Sequence, residues 1–140
     1  MTPEVALRTA ASENATLAGL LGASPFTLNS FRWYDTQLPQ GQISNGTCVR
    51  VLRISTGRQY STDGLQNFSW PRFQIDVLDP NPETSRSVAN AIITFMGSAP
   101  FGPLNQSANY LLNQRGGMDY QLQPPVFVQS LDYRIFFLED

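Results

Sequence analysis

The residues best placed for chemistry in this 140-residue chain are few. Asp76, Asp79 and Glu83 lie close together, and clustered carboxylates can share acid–base work or hold a hard cation. Asp79 and Glu83, however, flank Asn81-Pro82 at what reads as a strand-to-helix junction, where capping and complementarity to the helix dipole account for both. Cys48 is the lone cysteine, so it has no intramolecular disulfide partner and no thiolate cluster to join. Its neighbours Val49 and Val51 mark it as a buried, inert thiol. Gly116-Gly117 lacks the strand–loop–helix setting of a phosphate cradle and reads as a turn. There is no histidine, which removes His-based triads, His metal sites and imidazole acid–base pairs. A small α+β enzyme would need a Tyr, Asp and Arg pocket with an acid or nucleophile activated by other means. No such constellation stands out, and the expectation is no catalytic, cofactor or metal site.

Composition points to surfaces instead. Charged residues make up 14% of the chain, well below the usual quarter or so, which leaves much neutral polar and aromatic surface for neighbours to cover. All nine basic residues are Arg, against eleven acidic ones, for a net charge of −2. That balance carries no basic stripe for gripping nucleic acid. No apolar run approaches the ~18 residues of a membrane span, and no signal-peptide apolar core stands at the N-terminus. The expectation is a soluble protein made in the cytoplasm, with no membrane partner.

The elements that must position any contact surface follow from periodicity and punctuation. Thr2, Pro3 and Glu4 announce a helix over about 3–21, with Leu7, Ala11, Leu17, Ala18 and Leu21 as its apolar stripe and Gly22 as its stop. A short aromatic segment, Phe31 to Tyr34, precedes a turn-rich stretch. Residues 47–55 read as a strand, 56–67 as a polar hairpin connection, and 68–78 as a second strand. In that strand Phe73, Ile75 and Val77 alternate with Arg72, Gln74 and Asp76, and Pro71 implies an edge or a bulge. Asn81 and Pro82 start a second helix lined by Val88, Ala91, Ile92 and Phe95 and ended by Gly97. Residues 97–125 read as a long loop, and 126–138 as the last strand. In that strand Phe136 and Leu138 point away from the core face, a hint of a partner if the strand is an edge. The order α-β-β-β-α-(long loop)-β predicts one α+β domain over 1–140, with an antiparallel sheet of about four strands packed against two amphipathic helices.

These segments resemble a known group. Arg32-Trp33-Tyr34, Leu38-Pro39-Gln40-Gly41, the Cys48–Ser55 strand, the turn at Asp63-Gly64, Arg72 to Val77, a helix with Ala89, Ile92 and Phe95, and the closing Leu131 to Ile135 occur in the order of a phage tail-completion (tail-terminator) family, formerly a domain of unknown function. The similarity spans about 3–96 and 126–138. The long 97–125 segment departs from the family's pattern. The resemblance implies the fold of long-tail terminators and a non-enzymatic virion role. It implies a ring, hexameric in the family, at the head-proximal end of the tail. Such a ring stops the tail tube, meets the major tail tube protein and head-completion or connector proteins, and lets DNA pass through its lumen without sequence-specific contact. Alternative roles are a head-completion or minor tail protein, or the small enzyme already weighed.

A ring requires a heterologous contact, in which one face of each subunit meets a different face of the next. Tyr60, Phe68, Trp70, Tyr110 and Phe136 are the candidate interface anchors, because aromatics concentrate at interface cores. Phe68 and Trp70 would equally serve to complete the core. Arg72, Gln74 and Asp76 form a polar strand face directed at the lumen, at a neighbour or simply at solvent.

Overall fold

A computed structural model of the chain describes residues 3–22, 31–36, 46–55, 58–61, 64–97, 109–120, 125–135 and 137–138, with only the backbone path in 58–61, 64–69 and 137–138. Two short helices open it. α1 (Pro3–Glu13) buries Ala6, Leu7, Ala10 and Ala11, and α2 (Ala15–Leu21) buries Leu17 and Leu21. The single expected helix over 3–21 is therefore broken, and Asn14 is the reason. Its backbone leaves the helical region (φ −78°, ψ 118°) and its side chain accepts from the Leu17 amide at 3.1 Å, so it caps a new helix. Asn prefers this role to a helix interior. Gly22 closes α2 in the left-handed conformation (φ 81°), as its position predicts.

The strands are β1 (Trp33–Asp35), β2 (Cys48–Ser55), β3 (Arg58–Ser61), β4 (Gly64–Ser69), β5 (Arg72–Asp79), β6 (Asn109–Asp119), β7 (Val126–Ile135) and β8 (Phe137–Leu138), with α3 (Pro82–Gly97) between β5 and β6. They form a five-stranded sheet in the order β1-β2-β5-β7-β6 and a three-stranded sheet in the order β3-β4-β8. β1 runs parallel to β2, and every other pairing is antiparallel. The α+β architecture is as expected; the main sheet is mixed and has five strands, and the described helices number three.

Three segments differ from the sequence expectation. The 56–67 connection is largely strand, because β3 and β4 pair there, and residues 68–69 belong to β4 rather than to the central strand. The 97–125 segment contains β6, the longest strand of the described residues, and Gly116-Gly117 lies within it rather than in a turn. Gly116 sits under a close cover: an added Cβ would displace the Gln129 side-chain amide and lie 3.0 Å from the Phe127 ring. The closing strand divides. β7 is second from the sheet edge, covered by β6, and β8 joins the other sheet. Phe136 lies outside the described residues. Pro71 enters the central strand β5 beside a register shift between Arg53 and Ser55, the bulge that its position allows.

All three helices pack on one face of the main sheet. The core joins Leu7, Leu17 and Leu21 to Trp33, Val49, Val51, Phe73, Ile75, Val77, Leu131, Tyr133 and Ile135, with Val88, Ile92, Phe95 and Met96 from α3. Arginines tie the helices down. Arg53 donates to both Glu4 oxygens at 2.6 and 2.8 Å and lies 5.6 Å from the Phe73 ring centre. Arg8 donates to the Trp33 carbonyl at 3.1 Å, and Arg32 to the carbonyls of Thr47 at 2.8 Å and Leu20 at 3.1 Å. Each of these guanidinium groups satisfies polar groups beside apolar surface, which a point-like ammonium could not do as well.

Candidate functional site

Strand alternation sends every second residue of the main sheet away from the helices. On that opposite face Arg50 stands across from Asp76, Asp76 from Ser130, and Ser130 from Arg115, while Gln74 faces Asp132 and Arg72 faces Arg134. The result is a bridged polar network spanning β2, β5, β7 and β6. Asp76, 1% exposed, takes a 2.8 Å ion pair from Arg50 and accepts from Ser130 Oγ at 2.7 Å and Gln74 Nε2 at 2.9 Å. Asp132, also buried, pairs with Arg115 at 2.6 Å and more loosely with Arg72 at 3.4 Å. Arg115 then donates to the Gln74 side-chain oxygen Oε1 at 3.0 Å, linking the two carboxylate centres. An open groove of about 700 Å³ runs over this network, walled by Arg50 and Arg115 and floored at Gly116-Gly117.

The chemistry of the arrangement is fastening. Asp76 and Asp132 are held beneath arginines, which cannot give up a proton at working pH. Among the described residues, no group of three or more His, Cys, Asp or Glu side chains lies together in a way that could hold a metal ion. Asp79 lies on the helix side, accepting from the Thr47 hydroxyl and from the Asn81 amide, and the Asn81 side chain accepts from the Glu83 amide at 2.9 Å. These contacts give Asp79 and Asn81 the junction and capping roles that the sequence suggests.

Of the residues singled out from the sequence, the structure brings Arg72, Gln74 and Asp76 together in the network. Asp76 is its sealed centre rather than a solvated surface group, because three donors replace its water. Tyr110 lies elsewhere on the same sheet, on edge strand β6, and is 57% exposed. Trp70 is half-buried at the passage from β4 to β5. The side chains of Tyr60 and Phe68 lie outside the described residues, as does Phe136. Missed were Arg50, Ser130, Asp132, Arg115 and Arg134. Arg50 and Asp132 carry a signal, since each alternates with core residues in its strand. Arg115 carries none, because its strand reads as a loop.

Cys48 is fully buried, and its thiol donates toward the Gly46 carbonyl at 3.5 Å. Burial pushes its pKa from 9.0 up to about 11, with Arg32 drawing it down and Asp79 raising it. Burial likewise pushes Tyr133 from 10.0 up to about 12. Both groups are neutral in the fold and ionise more readily once unfolded. Their contribution is therefore complete below pH 9 and is lost as pH rises through 11 to 12. The melting temperature should accordingly fall steadily above pH 9, and Cys48 should stay unreactive toward an aromatic disulfide reagent at pH 8 until denaturant is added. Rapid labelling of the native protein would refute the buried assignment.

No family model matches the sequence, and no curated protein does. The fold has a counterpart among solved structures: a chain of the "Virion of native gene transfer agent (GTA) particle" superposes with a TM-score of 0.69 at 15% identity, covering 96% of this chain and 94% of the other.

Proposed function

We propose that this chain is a structural virion protein, a tail-terminator or tail-completion subunit that acts through shaped surfaces in a ring at the head-proximal end of a tail. The observation that carries the reading is the shared fold, which extends over nearly the whole of both chains and belongs, in the solved structure, to a component of a virion particle. The ordered motifs that resemble tail-completion proteins support it. So does the construction of the sheet face, where buried carboxylates anchor arginines into a fixed polar surface instead of presenting a reactive group. In this reading a heterologous contact closes the subunits into a ring, hexameric as in the resembling family. The ring stops the tail tube, docks to head-completion or connector proteins, and passes DNA without gripping it.

The test is loss of the gene product in an otherwise intact particle. Tails of uncontrolled length, unjoined to heads, are the expected result; tails of normal length joined to capsids would refute the function. A second expected outcome concerns Trp70, which is half-buried at the passage from β4 to β5. Trp70→Asp should impair assembly while the isolated chain keeps a cooperative thermal melt. Particles that assemble normally from the variant would remove Trp70 from the interface.

A further inference from the structure

The sheet face is not uniform in charge. Over β5, β7 and β6, Asp132 is the one carboxylate paired with Arg72 and Arg115, and Arg134 stands two residues further along β7 on the same face. Arg72 and Arg134 stand directly opposite one another across β5 and β7, where like charges are unfavourable. The Nε atoms of both are buried without a hydrogen-bond partner. Asp132 serves Arg115 closely and Arg72 at 3.4 Å, and no ion pair to Arg134 is present among the described residues. Among the described residues the cluster therefore holds a surplus of two positive charges. The rest of the chain holds six arginines against ten carboxylates, a surplus of four negative charges (nine minus three, and eleven minus one). Among the described residues this part of the face is thus positive, on a chain that is acidic in sum.

The adjoining rim carries exposed apolar side chains on an edge strand. β6 runs for eleven residues, Asn109–Asp119, as the outer strand of the main sheet. Its charges and its bulge blunt the edge against strand addition, which leaves side chains as the means of contact. Tyr110 pairs in register with Arg134, and Leu112 is inserted at a register shift between Leu111 and Asn113; Tyr110, Leu111 and Leu112 are all exposed. Aromatic and aliphatic groups beside arginines are the composition of a subunit contact.

We infer that the Arg72–Arg134 pair and the Tyr110–Leu112 rim form one half of the contact between copies of this chain, receiving a carboxylate from the acidic surface of a second copy. The inference rests on the ring reading above and identifies the surface that closes the ring. A carboxylate placed against the solvent-facing ends of the two guanidinium groups cancels their repulsion and adds charge-assisted hydrogen bonds. Two surplus charges on an acidic molecule suit a protein carboxylate better than duplex DNA, whose binding draws on many phosphate contacts at once.

The experiment compares the wild-type chain with Arg72→Ala/Arg134→Ala and, as a control, Arg86→Ala on the far side of the molecule. Mass in solution is followed by sedimentation at about 0.01 M and about 1 M salt, where screening lengths are about 30 Å and about 3 Å. Each variant's melt is recorded to show that it folds. The expected result is salt-sensitive self-association of the wild type and the control, weakened at least about tenfold in the double variant. A wild type that stays monomeric at low salt and high concentration overturns the inference, as does a double variant that associates like the wild type. So does a monomer that binds a short DNA duplex through these arginines. Particles built with the double variant separate the two levels of the argument: normal tails there refute this surface alone, whereas normal tails without the protein refute the function.

Discussion

Replacing Asp76 with alanine should lower the free energy of unfolding by about 3–5 kcal/mol, because one side of a buried, hydrogen-bonded ion pair is removed and the other is left in place. Asp76 is the point where β2, β5 and β7 are joined by side chains: Arg50 reaches it from one flank, Ser130 from the other, and Gln74 from its own strand. Removing the carboxylate strands a guanidinium whose Nε is already without a partner. Arg50 keeps some access to water, so the loss falls at the lower end of that range. The double change Arg50→Ala/Asp76→Ala should cost less than the sum of the single changes, since no orphaned charge remains. Urea denaturation of the four proteins in the cycle measures both. A single-variant loss below about 1 kcal/mol would show that water replaces the carboxylate without penalty.

Phe73→Ala should destabilise the fold by about 3–5 kcal/mol through lost burial and the cavity left behind. Phe73 is fully buried at the centre of the helix-side face. It is paired in register with Tyr133 on one side and Arg53 on the other, with the Arg53 guanidinium 5.6 Å from its ring centre. Arg53 in turn holds Glu4 of α1. Removal of the ring therefore empties the core and loosens the floor beneath the arginine that fastens α1 to the sheet. Ile54→Ala, on an exposed neighbour, should change stability by no more than about 0.5 kcal/mol. Equal effects at the two positions would refute the assigned core.

The parts of the fold that were legible in the sequence are those written in local periodicity. The alternation of Phe73, Ile75 and Val77, the capped start at Asn81-Pro82, and the apolar stripe of Val88, Ile92 and Phe95 each describe one element meeting one face, and one element's sequence is enough to show that. β6 was illegible for the same reason. Its side chains are half-exposed or exposed throughout, so no hydrophobic alternation marks it. It is a strand because β7 supplies a ladder of hydrogen-bonding partners. The break at Asn14 was legible in principle, since Asn followed by an apolar turn is a capping signal, but the apolar stripe runs through it and masks it.

The candidate surface divides along the same line. Residue types alone established that imidazole chemistry is unavailable, that Cys48 stands among core residues, and that Arg72, Gln74 and Asp76 share one polar face. Which arginine meets which carboxylate is a matter of register between strands far apart in the chain: Asp76 with Arg50 and Ser130, Asp132 with Arg115 and Arg72. Local sequence has no influence over that pairing. It is decided when the hydrophobic faces of β2, β5 and β7 settle against the helices, because a slip of one residue would turn every core side chain outward and every charge inward.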